Sequence, residues 1–110
     1  MKLPNARNAI VAKEKLVGYL LDLNHRRGGA KAKLLYSLGY ESRSWQQLAD
    51  DLRRQHLTSE VIHQRDTDWG RRYDIVAPLT TPSGDTVMFH SVWQIDLGSD
   101  HPRLITIYPE

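Results

Sequence analysis

The sequence contains no cysteine, which removes disulfides, thiolate zinc sites and cysteine nucleophiles together. It has no run of about 18 apolar residues, so no membrane-spanning helix is expected. Its opening residues, Met1-Lys2-Leu3-Pro4-Asn5, lack the charged head, apolar stretch and cleavage site of a secretory signal. Action in the cytoplasm is therefore expected, although a lack of cysteine also suits an exported effector. No Walker-type phosphate loop, dinucleotide fingerprint, zinc-protease helix or nucleophile elbow occurs. The histidines are His25, His56, His63, His90 and His101, and none pairs with another at helical spacing. No metal site and no cofactor is expected. Repeats, low-complexity stretches and linkers are absent too.

What is present fits a single α+β domain over residues 1–110, long enough to bury a core without staples. The two halves differ in charge. Residues 1–57 carry a formal +6 and residues 58–110 carry −4. That asymmetry suits an acidic partner for the first half; it also follows if helices simply carry more lysine and arginine than strands.

Apolar spacing predicts helices in the first half. Val11, Lys15, Leu16, Tyr19, Leu20 and Leu23 form a stripe between about residues 12 and 23. Ala30 to Leu38 reads as a short helix stopped by Gly39. Trp45, Leu48, Ala49 and Leu52 mark a third helix, capped by Ser42 or Ser44 and running to about His56. Beyond Ser59 the period becomes two. Strands are predicted at 59–64, around Tyr73 to Leu79, from Val87 to Leu97 and from Pro102 to Tyr108. Pro82-Ser83-Gly84-Asp85 is a hairpin loop. The expected fold is α+β, with two or three N-terminal helices packed on a four-stranded antiparallel meander.

The stretch Asn24-His25-Arg26-Arg27-Gly28-Gly29-Ala30-Lys31-Ala32-Lys33 combines cations, a histidine and paired glycines at a helix start. It reads as a phosphate-binding loop, or as a solvated connection between helices. In Arg71-Arg72-Tyr73 alternation puts Tyr73 and Arg72 on opposite faces. If Tyr73 is core, Arg72 is free for a ligand or for a carboxylate at the sheet edge. Ser91 interrupts the apolar set Phe89, Trp93 and Ile95, its hydroxyl expected to bond backbone. His90 and Tyr108 fall on the opposite face, over a shallow cleft. Asp50-Asp51 reads as a solvated helix face.

Lys2-Leu3-Pro4-Asn5-Ala6, Asn24-His25 through Gly28, Lys31-Ala32, Leu38-Gly39, Ser91-Val92-Trp93 and Pro102-Arg103-Leu104 together resemble a family of small uncharacterised bacterial domains, the domain of unknown function 6883 type. The likeness spans nearly the whole chain. The order of helices then four strands is also distantly similar to the barnase–EndoU–colicin–RelE group of toxin nucleases. This resemblance implies a bacterial toxin-type ribonuclease, cleaving RNA without metal by attack of a 2′-hydroxyl on its neighbouring phosphate. It implies His25 as a proton-transfer residue, with Tyr108 or His90 as a second acid or orienting group. Arg27, Lys31, Lys33 and Arg72 would bind phosphate. RNA and a cognate antitoxin or immunity protein are the implied partners, with no membrane. The rival reading is a non-catalytic antitoxin, immunity or adaptor protein acting through its sheet face, with Trp69, Trp93 or Tyr108 as anchors.

Overall fold

The computed structural model describes residues 1–110. A short 3-10 helix (Ala6–Asn8) precedes α1 (Lys13–Lys15), which passes directly into a π-helical turn (Leu16–Leu20). Then come α2 (Gly29–Ser37), a second 3-10 helix (Ser42–Ser44) and α3 (Trp45–Gln55). Four strands follow: β1 (Val61–Thr67), β2 (Gly70–Thr80), β3 (Thr86–Asp96) and β4 (Arg103–Pro109). All neighbours pair antiparallel in the order β1-β2-β3-β4, so the sheet is an open meander and the class is α+β.

Period-two alternation sorts the sheet into two faces. Tyr73, Ile75, Ala77 and Leu79 of β2, with Phe89, Ser91 and Trp93 of β3, are buried toward the helices. All of these but Ser91 join Leu16, Leu20, Leu35, Leu48 and Leu52 in one apolar cluster. Fully burying each such leucine contributes about 1.5–3 kcal/mol. Tyr73 is therefore core and Arg72 lies on the outer face, as alternation predicts.

β4 breaks the alternation at a bulge. Val92 pairs with Thr106 while the next residue, Trp93, pairs with Leu104, leaving Ile105 extra. The extra residue lets Leu104 and Ile107 both turn inward, three positions apart, and both are buried. It also aims Thr106 and Tyr108 at the outer face, opposite Val92 and His90.

Several local expectations are corrected. The first helix ends at Leu20 rather than at residue 23. In its last turn the Leu21 N–H donates to the Leu16 carbonyl at 2.7 Å, an i+5 bond that widens the turn. Within this turn Leu16 and Leu20 are fully buried, while Tyr19 is half-buried at the margin of the core. Neither Ser42 nor Ser44 caps α3 with its side chain. Ser91 bonds side chains, not backbone: Trp93 Nε1 donates to its Oγ at 2.9 Å and His56 Nδ1 lies 2.8 Å away. Asp51 is not solvated; it is buried, accepting from Tyr40 at 2.6 Å, from Gln47 at 3.0 Å and from Arg54. Burial, then the bond to Asp51, pushes the Tyr40 phenol well above its ordinary range.

Candidate functional site

The outer sheet face carries the chemistry. Residues directly opposite one another on neighbouring strands share a face, so one row reads Arg65, Arg72, Gln94, Arg103. The row beyond Val92 and Thr106 pairs His90 with Tyr108. Arg65 and Arg72 are like charges in direct opposition, an arrangement that costs stability when no anion compensates it. Arg72 Nε donates to the Gln94 side-chain oxygen at 2.9 Å and makes no ion pair. Arg103 is neutralised by Asp96 at 2.8 Å. The bond from Arg103, followed by that from Gln94, holds the Asp96 carboxyl below its usual range.

The helices add cations along the β4 edge. Lys31 of α2 donates from Nζ to the Tyr19 hydroxyl at 2.7 Å and to Thr106 Oγ1 at 3.0 Å. It has no carboxylate partner. The same ammonium stands 5.2 Å from the Tyr19 ring centre and 5.8 Å from that of Tyr108. The Lys15 ammonium of α1 lies 5.6 Å from the centre of the same Tyr19 ring. Burial, then the charge of Arg103, lowers the Lys15 amine; Tyr19 pulls it up and Arg72 adds a lesser lowering. Burial alone pushes the Tyr19 phenol up; bonds with Lys31 and Thr106, plus the charges of Lys31 and Lys15, reverse that and bring it below its ordinary value.

A depression of about 480 Å³ opens here, lined by Lys15, Tyr19, His25, Arg27, Ile105 and Thr106. No carboxylate lines it. His25 meets Tyr19 edge-on, ring centres 4.9 Å apart. The Arg27 and Gly28 backbone N–H groups both donate to His25 Nδ1, at 3.0 and 2.9 Å. With Nδ1 an acceptor, the ring proton sits on Nε2. The glycine loop is thus used differently from its sequence reading. The Arg27 and Gly28 N–H groups serve His25, and that of Gly29 donates to the His25 carbonyl at 2.9 Å. They are not free for a ligand. Gly28 makes its close approach to the protein's own Tyr19: a Cβ there would fall 2.7 Å from Tyr19 Cε1.

Beside the depression, His90 stacks on Tyr108 with ring centres 4.5 Å apart. His90 Nε2 lies 2.8 Å from Asp74 and Nδ1 lies 3.2 Å from Glu110. Burial, followed by the charges of Asp74 and Glu110, raises the Tyr108 phenol. Two tyrosines on one face are thus driven in opposite directions. No group of three or more His, Asp or Glu side chains is placed to hold a metal ion.

Of the residues singled out in the sequence, His25, Arg27 and Lys31 meet around Tyr19, and Tyr108 and His90 join them through Lys31. Arg72 approaches from β2 on the same face. Lys33 stands apart: two positions along α2 from Lys31, it is turned about 200° around the helix. Tyr19, Lys15 and Thr106 were missed, because Tyr19 and Lys15 have the spacing of a packing stripe and Thr106 owes its position to the bulge. Trp93 is fully buried and offers no anchor, whereas Trp69 is 71% exposed.

Fold and site together define an α+β domain with an open, cation-rich sheet face. The chain belongs to the family described as Domain of unknown function (DUF6883), whose model matches residues 2–110. Among curated proteins none matches it. Its fold is similar to that of a chain in the "Contact-dependent growth inhibition toxin - immunity protein complex from Klebsiella pneumoniae 342", with a TM-score of 0.73. The two are 16% identical, and the match covers 96% of this chain and 97% of that one. Likeness at that identity is a likeness of fold.

Proposed function

We propose that this chain is a bacterial toxin-type ribonuclease that works in the cytoplasm and cleaves RNA by 2′-hydroxyl attack on the adjacent phosphate. The observation that carries the reading is Lys31: an ammonium with no carboxylate, held by two hydroxyls between a cationic depression and the His90–Tyr108 pair. Unpaired cations desolvated beside hydroxyl and imidazole groups suit the charge that develops on a phosphoryl oxygen in such a reaction.

Lys31 and Arg27 bind the scissile phosphate, with His25 donating from Nε2. Arg72, with Arg65 opposite it, receives the neighbouring phosphate. His90, braced by Asp74 and stacked on Tyr108, is the proton-transfer group on the leaving side, and Tyr108 orients it. Side chains supply every proton and charge, so the reaction proceeds without a metal ion. Lys33 contributes to the general attraction of RNA toward this half of the molecule.

A neighbour taken from a growth-inhibition toxin–immunity complex supports a role in growth inhibition and a cognate binding protein for this chain. Purified protein incubated with total RNA in the presence of a chelator should cleave it. Lys31→Ala and His25→Ala should slow that cleavage about 10²-fold or more. Intact RNA, or cleavage that neither substitution slows, contradicts the reading.

A second reading, an immunity or adaptor protein, draws on the apolar pair Trp69 and Leu97. They lie 71% and 75% exposed at one end of the sheet, where the Leu97 N–H donates to the Trp69 carbonyl at 2.9 Å. Harmless expression and co-purification with a toxin would favour it.

A further inference from the structure

Resting on the ribonuclease reading, we infer that the proton acceptor for the attacking 2′-hydroxyl is the Tyr19 phenol, with Lys31 as the residue that holds its oxygen. Four independent features converge on this side chain. Tyr19 lies in the π-helical turn, half-buried with its ring against the core and its hydroxyl reaching Thr106 on the outer face. Such turns are frequent at functional sites. The Tyr19 oxygen receives the Lys31 ammonium at 2.7 Å and lies 3.2 Å from Thr106 Oγ1. The ring is wedged: Gly28 leaves room for it where any Cβ would collide, and His25 closes on its edge. Finally, the depression onto which it opens has cations and no acid.

The groups facing Tyr19 come from each element around it: Lys15 from α1, His25 and Arg27 from the loop, Lys31 from α2. Thr106 faces it from β4, and Tyr108 is the next hydroxyl along that strand. All the ionisable neighbours among these, other than the phenol of Tyr108, are cationic or imidazole, and the ammonium groups favour the phenolate. Tyr108, by contrast, looks onto Asp74 and Glu110 and is driven the other way. Of the two outer-face phenols, Tyr19 is the one suited to accept a proton. His25 is not, because its Nδ1 lone pair is already taken by two backbone N–H groups.

The step balances without a co-reactant. The 2′-hydroxyl proton moves to the Tyr19 phenolate oxygen as the O2′–P bond forms. The P–O5′ bond breaks, and the departing 5′ oxygen takes the Nδ1 proton of doubly protonated His90, displacing the longer contact to Glu110 while Asp74 keeps Nε2. The products are a 2′,3′-cyclic phosphate and a free 5′-hydroxyl.

Two readouts test the assignment. In an ultraviolet titration of phenolate absorbance, the first of the five tyrosines to ionise as pH rises should be missing in Tyr19→Phe. It should move to higher pH in Lys31→Met. A first transition that survives Tyr19→Phe overturns the inference, whatever the activity. In the cleavage assay Tyr19→Phe, which keeps the ring against Gly28, should lose about 10²–10⁴-fold in kcat/KM. The limb of the pH profile that rises with pH should vanish in the residual activity of Tyr19→Phe. Wild-type cleavage matched by Tyr19→Phe overturns this inference and leaves the ribonuclease reading standing. Absence of cleavage by the wild type overturns both.

Discussion

Lys31 illustrates how much one unpaired charge says. A surface lysine beside a carboxylate is explained by that carboxylate, and the pair contributes little. Lys31 instead spends its donors on Tyr19 and Thr106, which satisfies the ammonium without neutralising it. The buried His56 is the opposite case, a charge the fold refuses. Burial pushes it down to about 4, with the nearby charge of His90 helping and the Ala77 backbone pulling the other way. Its Nε2 has no hydrogen-bond partner. The neutral form is therefore the one that folds. The stabilisation is complete above the ordinary histidine range near 6.5 and is lost as pH falls toward 4, because the unfolded chain takes up a proton first. The loss amounts to roughly 3 kcal/mol. Urea unfolding between pH 7 and pH 4 should show that decline. In His56→Asn, whose amide reaches the position of Nδ1, the decline should shrink by most of that amount. An unchanged pH slope in the variant would contradict the assignment.

At the scale of elements, two irregularities build the site. The π-helical turn delivers Tyr19, and the β4 bulge delivers Thr106 beside it. A regular helix and a regular strand would have sent at least one of them into the core. This is why the site was only half legible in the sequence. Alternation assigned Tyr73, Arg72, His90 and Tyr108 to their faces, since strand geometry leaves a side chain two choices. Helical spacing misplaced Tyr19, because a pattern of 3.6 residues cannot register an i+5 turn. Asp51 and His56 were equally hidden, their burial being decided by Tyr40 and by Ser91, distant in sequence. The β1–β2 turn supplies a test of the sheet. Gly70 has φ +151°, and a Cβ there would fall 2.1 Å from the Ile95 carbonyl oxygen. Gly70→Ala should cost about 1–3 kcal/mol from backbone strain alone, with the clash adding to it. Thermal unfolding measures this, and a loss below about 0.5 kcal/mol would mean that the turn is laxer than described.

For the molecule as a whole, the uneven charge of the two halves acquires a geometric meaning. The basic N-terminal half sends Lys15, Arg27 and Lys31 over the β4 edge. The acidic C-terminal half keeps Asp96 on Arg103, and Asp74 and Glu110 on His90. What is left over is positive charge on one face. The order of helices and strands, and hence the fold class, was readable from the change of period near Ser59. The use made of the glycine loop was not, because nothing local indicates that His25 and Tyr19, rather than a ligand, occupy the space beside Gly28. The reaction assigned to this face needs the 2′-hydroxyl as its nucleophile, and that requirement can be tested on the substrate alone. An RNA oligonucleotide that the protein cleaves in the presence of a chelator should be compared with the same oligonucleotide carrying one 2′-deoxy residue at the cleaved position. The account predicts a 2′,3′-cyclic phosphate end from the first and no cut at that position in the second. Equal cleavage of the two contradicts it.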